Sequence, residues 1–344
     1  MKFLVFFLLA ILLFPGCDNR RNENRAGRNH GASIVVFIPG VLASAIYQML
    51  ADGVTRAAAE FAASNPELAP SVTVIEGGFN QAGWQSQIST LAASGDFDLI
   101  VSSNPSMPDI ITPVSAAFPN QKFLLLDAEL AGNPNVFTLR YNQREQGFMA
   151  GYIAALAALE AGGAKRIGLV AGQEYPAMNN IILPGYTEGA RAVHPDFEVD
   201  FRIVGNWFDA ARAAELAGAM IRGGAGVLLP IAGGAGHGVI QAAYEAGAKV
   251  VWFDTNGYAL RPGTVIGSAI LRQDRAAFEK TKLFLEGNLP FGRAEIVGTA
   301  DGFVDFIDDD PLFIAAVSES IRERMSLLTA RFRSGELQLE ERGS

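Results

Sequence analysis

Cysteine occurs once among the 344 residues, as Cys17, and histidine three times. A single thiol excludes an intramolecular disulfide and a thiolate metal cluster, so packing alone must hold the fold. No cofactor and no metal centre is expected. His30, His194 and His237 fall in no HExxH zinc motif, and no GxSxG elbow accompanies them, so hydrolytic machinery finds little support. Basic charge is also scarce: 27 Lys and Arg stand against 36 Asp and Glu, for a net charge of −9. That balance argues against a nucleic-acid partner, which needs a concentrated basic surface. The apolar run at 3–14 falls short of the ~20 residues that span a bilayer.

What is present begins with length and apolar content. At 344 residues and 49% hydrophobic composition the chain can bury a large core. Single cores stop growing near ~250 to 300 residues, so two lobes are expected. Lys2, the apolar run at 3–14, Pro15 and Gly16 follow the charged, apolar, small-residue order of an export signal. Cys17 then resembles the acylated cysteine of a bacterial lipobox, which makes 1–16 a signal peptide and Cys17 the lipidation site. Loss of Lys2 with that leader takes the net charge from −9 to −10. Residues 17–32, rich in Asn, Arg and Gly, read as a flexible tether. The expected location is the cell membrane, lipid-anchored and facing the periplasm or the extracellular side.

From Ser33 onward short apolar runs alternate with stretches of helical period, the signature of βαβ units and a mostly parallel sheet. Runs at 34–38, 72–76, 99–102 and 122–127 form one series. Runs at 166–170, 199–204, 226–231 and 249–253 form another, followed by 265–271. The pattern predicts an α/β protein of two Rossmann-like lobes joined by hinge strands. Lobe 1 is expected over 33–140 and lobe 2 over 141–271. The remainder, about 272–344, is expected to complete lobe 1, with one final helix over 311–333.

The two series also resemble each other. DFDLIVSSN followed by KFLLLDA ends a strand at Asp127, and GVLLPIAGG followed by KVVWFDTN ends one at Asp254. Ligands of open parallel sheets bind outside the carboxyl ends of the strands, so the cleft between the lobes is the place to search. Asp127 and Asp254, with Asn104 and Asn256 at the same strand ends, are candidate hydrogen-bonding residues for adjacent hydroxyls; the plain alternative is that each aspartate caps a turn. The glycine loop containing Gly233, Gly234 and His237 lacks the lysine of a P-loop and suits an oxygen-rich ligand or a tight turn. Trp207 and Tyr47 are candidates to stack on a planar ring from opposite lobes. A glycoside or nucleoside hydrolase using Asp127 and Asp254 is the catalytic alternative.

Specific carriers join these features. GDFDLIVSSNPSMPDI, FPNQKFLLLDA, REQGFMAGYIAAL, RIGLVAGQEYP, GNWFDAARA, LLPIAGGAGHGV, WFDTNGY and GSAILRQD occur in order. Together they resemble the basic membrane protein family of ABC-transporter binding lipoproteins, which includes the purine nucleoside receptor A proteins. The resemblance implies a type I periplasmic-binding-protein fold, no enzymatic activity, a small-molecule ligand with a purine nucleoside favoured, and an ABC permease as partner. It also implies that Trp207 stacks on the base, that Asp254 holds the ribose, and that Asp127, Gly233 and Gly234 line the cleft. Ile46, Tyr47 and Gln48 stand where better-known members carry Phe-Asn-Gln, and Leu271 stands where they carry lysine. A sugar, a modified nucleoside or another polar metabolite, bound for transport or for sensing, stays open.

Overall fold

The computed structural model describes residues 31–340. The expected signal peptide and Cys17 lie outside the described residues, as does most of the expected tether. Two six-stranded sheets form the body.

The first sheet takes strands β1 (Ser33–Ile38), β2 (Ser71–Glu76), β3 (Leu99–Ser103), β4 (Lys122–Leu126), β5 (Val136–Tyr141) and β11 (Ala294–Val297), in the order β11-β5-β4-β3-β1-β2. Every pairing in it is parallel. The inner strands read as continuous apolar runs, SIVVFI, LIVSS and KFLLL, because helices cover both faces and leave no side for water. The edge strand β2, SVTVIE, alternates and is largely exposed.

The second sheet has strands β6 (Arg166–Ala171), β7 (Glu198–Ile203), β8 (Val227–Ile231), β9 (Lys249–Asp254), β10 (Val265–Leu271) and β12 (Val304–Phe306), ordered β12-β10-β9-β8-β6-β7. Only the short edge strand β12 runs antiparallel to its neighbour β10. In β8 the ladder to β9 covers Val227 and Leu228 alone. Pro230, which has no N–H to donate, lies just past it and lets the strand end diverge into the glycine loop.

Helices α1 (Ala45–Ser64), α2 (Trp84–Ser94) and α3 (Met107–Ala117) connect the first four strands. The chain then crosses from β5 to α4 (Gln143–Glu160), which packs along α5 (Leu183–Val193) in the second lobe. Helices α6 (Ala210–Arg222) and α7 (Gly236–Ala246) follow β7 and β8. A second crossing leads from β10 to α8 (Gln273–Leu285), which packs on α1 of the first lobe. The third runs from β11 to β12.

The C-terminal part is therefore divided between the lobes, which corrects the expectation that 272–344 belongs wholly to the first. Helix α8 and β11 complete the first sheet's lobe, while β12 carries the chain back to the second. The expected single helix over 311–333 is two: α9 (Pro311–Ala316) and α10 (Glu319–Arg333). Val317 is extended, and Ser318 starts the new helix by accepting a hydrogen bond from the Ile321 N–H. Phe313 on α9 packs on Tyr258 and Phe306, and Phe332 on α10 meets Phe148 of α4 edge-on.

Candidate ligand-binding cleft

Both sheets direct their carboxyl ends toward the junction of the lobes, and each ends there on an aspartate with unusual backbone. Asp127 follows β4 with φ 51°, and Asp254 closes β9 with φ 68°. Among the described residues these are the non-glycine positions with positive φ. Aspartate tolerates the left-handed region better than most residues, and strain of this kind clusters at ligand sites. Occurrence of the same conformation at equivalent strand ends of both lobes marks the internal duplication in the backbone itself.

Three tyrosines feel the charge of both carboxylates. Burial pushes the Tyr47 phenol up to about 12, the hydrogen bond from Asn104 opposes that rise, and Asp127 and Asp254 both add to it. Tyr141 at the end of β5 and Tyr175 in the loop after β6 are also raised well above the ordinary phenol range, first by burial; Asp127 and Asp254 add to the rise at Tyr175, and Asp127, Asp274 and Asp254 at Tyr141. Tyr47 comes from the first lobe and Tyr175 from the second. One acidic, aromatic-walled space thus joins residues from both.

Each wall has its own support. Asn104, just past β3, donates from Nδ2 to the Tyr47 hydroxyl at 3.4 Å and accepts from the Ser106 N–H at 2.9 Å. Beneath them Gln273 is fully buried. Its Oε1 accepts from the Ser103 hydroxyl at 3.0 Å and the Tyr141 hydroxyl at 3.4 Å, and its Nε2 donates to the Ile46 carbonyl at 3.1 Å. On the opposite wall the Trp207 indole N–H donates to Gln173 Oε1 at 3.1 Å, and its ring lies 6.1 Å from that of Tyr175. The ring lies flat on Gly172, where a β-carbon would sit 2.5 Å from Cε3.

The glycine loop serves this wall. Gly233 has φ 54°, and a β-carbon on it would lie 3.0 Å from the Trp207 carbonyl oxygen. The Ala235 N–H donates to that same oxygen at 3.1 Å. Gly233 therefore lets the loop close on the Trp207 backbone; Gly233 and Gly234 remain exposed. His237, in the first turn of α7, is exposed, with its ring 6.0 Å from that of Trp252. Asn256 is exposed and tied into its own loop. Its Nδ2 donates to Asp310 at 3.0 Å and its Oδ1 accepts from the Tyr258 N–H at 3.1 Å, so both ends of the amide hold the loop after β9.

Asp254 is the cleft carboxyl with a raised pKa. Burial pushes its carboxyl up to about 6, against which a hydrogen bond from Gln146 works in the lowering direction. Sequence reasoning missed Gln146, Gln273, Tyr141 and Tyr175. The available signal was a polar side chain one or a few residues past a strand end, at the start of a helix or loop, in an otherwise apolar context.

At the edge away from the crossings, the loops after β2 and β7 meet. Phe79 from the first lobe and Phe208 from the second have ring centroids 5.7 Å apart, tilted by 53°, and remain 63% and 60% exposed. The lobes are thus in contact on both sides of the cleft.

Comparison with known proteins agrees with this architecture. A solute-binding protein of an ABC transporter from Aeropyrum pernix K1 superposes with a TM-score of 0.75 at 22% identity, over 91% of this chain and 94% of that one. A transcriptional activator of comK from Bacillus halodurans gives 0.69 at 19% identity, over 88% and 98%. These likenesses establish the type I periplasmic solute-binding fold. Among curated relatives, basic membrane protein D of Borreliella burgdorferi is 30% identical over 48% of each chain. The nucleoside-binding protein BmpA of Lactococcus lactis is 29% identical over 40% of this chain and 38% of its own. The matched stretch spans about half the length of such relatives, or less. The model of the family described as ABC transporter substrate-binding protein, PnrA-like, matches residues 32–338, and the chain belongs to that family.

Proposed function

We propose that the protein captures a purine nucleoside in the cleft between its lobes and presents it to a membrane permease, tethered through a lipid on Cys17. Its family is one of substrate-binding proteins rather than enzymes. The observation that carries the ligand reading is the convergence of two left-handed strand-end carboxylates, Asp127 and Asp254, on the same tyrosines from opposite lobes. Adjacent ribose hydroxyls supply the donors such carboxylates need, and Tyr47, Tyr175 and Trp207 offer faces to a planar base. Two carboxylates also disfavour a phosphate, so a nucleoside suits the cleft better than a nucleotide. The related Lactococcus protein named for nucleoside binding supports the same choice.

Among the described residues no helix is long and apolar enough to cross a membrane. Attachment in this reading comes from Cys17, whose acyl chains contribute about 0.8 kcal/mol per buried CH₂.

A thermal-shift series tests the ligand. The soluble body from Ser33 onward is unfolded and refolded to remove carried-over ligand, then tested with purine and pyrimidine nucleosides, free bases, nucleotides and sugars. A ligand at ~100-fold over Kd adds about 2.7 kcal/mol. Adenosine, guanosine or inosine is expected to raise the midpoint, and Asp254→Ala is expected to remove the rise. A response to sugars alone would overturn the nucleoside reading.

A further inference from the structure

One amide nitrogen in the second lobe ties together three parts of the molecule. Gln146 Nε2 donates to Asp254 Oδ1 at 3.1 Å and to the Ala269 carbonyl at 3.0 Å. Gln146 lies in the first turn of α4, just beyond the first crossing, and Ala269 lies on β10, just before the second. The side chain is fully buried. Gln273 at the second crossing is also fully buried, but both ends of its amide are satisfied. Gln146 differs, because its Oε1 has no hydrogen-bond partner. A buried acceptor left unpaired is destabilising, a cost that the two bonds donated from the other end of the amide must offset.

We propose that Gln146 is a positioning residue of the binding site, whose amide N–H orients the Asp254 carboxylate for the ligand and links it to two of the three crossings between the lobes. The proposal rests on the reading of Asp254 as a ligand contact. With Oδ1 held by the amide, the remaining lone pairs of the carboxylate are directed and free for ligand hydroxyls. Removal of the amide leaves a carboxylate that holds its proton more firmly, since a hydrogen bond to the charged form favours ionisation. Other charged groups around this point are engaged elsewhere or acidic. Tyr47, Tyr141 and Tyr175 feel the charge of both Asp254 and Asp127, and Tyr141 that of Asp274 as well. Arg144 of α4 binds Glu188, Glu145 accepts from the Thr299 and Leu339 N–H groups, and Arg272 lies 3.7 Å from Asp305. His237 on α7 lies against Trp252.

The test uses the full chain in detergent, ¹³C-labelled at aspartate carboxyls, with the Asp254 signal assigned by its loss in Asp254→Asn. In the ligand-free protein the carboxyl is expected to titrate near the value of about 6 set by its burial. Gln146→Met and the isosteric Gln146→Glu are each expected to move that midpoint upward by about one pH unit, the first by loss of a donor and the second by a neighbouring carboxyl. Adenosine affinity of Gln146→Met is expected to fall on the order of tenfold at pH 6.5 and to recover toward wild type above pH 8. A side chain that merely supports the fold would lower the melting temperature without moving the titration. An unchanged midpoint in both variants overturns the proposal, and Gln146→Glu alone decides it where Gln146→Met does not fold. Failure of the wild-type chain to bind any nucleoside would sink the ligand reading, while the ligand-free titration still decides the role of Gln146.

Discussion

Asp254 combines a strained backbone with a carboxyl that burial holds protonated up to about pH 6. An unfolded aspartate titrates near 3.8, so the folded state binds the proton more tightly. The sign follows: this group's contribution to stability is fully present below pH 3.8 and is lost as pH rises through 6. At neutral pH the ionised carboxyl costs up to about 3 kcal/mol, less whatever solvent reaching the cleft recovers. Asp254→Asn removes the charge and keeps a residue tolerant of φ 68°. It is expected to melt at the same temperature as wild type near pH 4 and several degrees higher at pH 7.5, while losing nucleoside binding. Equal melting curves at both pH values would show that the carboxyl is not destabilised by burial. The two aspartates were legible in the sequence because each ends an apolar run in a repeated pattern. Their left-handed backbone was not, since φ depends on how the following loop departs from the sheet. Asn256 and Asn104 are alike in having both ends of the amide engaged within the chain.

Helices α4 and α5 show what the elements required and what the sequence disclosed of it. Gly147 and Gly151 on α4 face Gly185 and Gly189 on α5 in a reciprocal close approach. A β-carbon on Gly151 would lie 1.9 Å from the Tyr186 carbonyl oxygen, and one on Gly189 would lie 2.0 Å from that of Phe148. Backbone cannot yield as a flexible side chain can, so Gly151→Ala must push the helices apart and is expected to cost about 1–3 kcal/mol. Denaturant unfolding measures it, and a midpoint within error of wild type would contradict the contact. Because α4 also carries Gln146, the same variant is expected to weaken ligand binding. The predicted apolar runs fall on β1 to β4 and β6 to β10; the inner parallel strands are apolar because both faces are covered, and the edge strands β2 and β7 were legible by their alternation. Strand β5 escaped notice because it follows β4 through a loop, without the helix that the alternation leads one to expect. Strands β11 and β12 are edge strands of only four and three residues, and only the sheet topology assigns them to different lobes. That is why the C-terminal part was placed wholly with the first lobe.

At the scale of the whole molecule the proposed function rests on two attachments, one to the membrane and one between the lobes. Replacement of Cys17 by serine removes the acyl acceptor and is expected to move the protein from the membrane pellet to the soluble fraction after phase partition; retention in the membrane would remove the lipid anchor from the proposal. The attachment between lobes is the Phe79–Phe208 contact. All three crossings lie at the β5, β10, β11 and β12 edge of the sheets, whereas these two rings follow β2 and β7 at the far edge. A contact there exists only while the lobes are closed and contributes nothing when they swing apart. Aromatic pairs add about 0.5–1.5 kcal/mol beyond area burial, enough to shift a two-state closure equilibrium by roughly two- to tenfold. Neither ring belongs to the buried core, so Phe79→Ala and Phe208→Ala are expected to leave the melting temperature of the ligand-free protein nearly unchanged. Each is expected to weaken nucleoside affinity by that factor, chiefly through faster release, because an open cleft frees its ligand. The double variant is expected to lose little more than either single one, since each already abolishes the shared contact. Stopped-flow release rates on the four proteins measure this, and additive losses would mean that the two rings touch the ligand separately rather than each other.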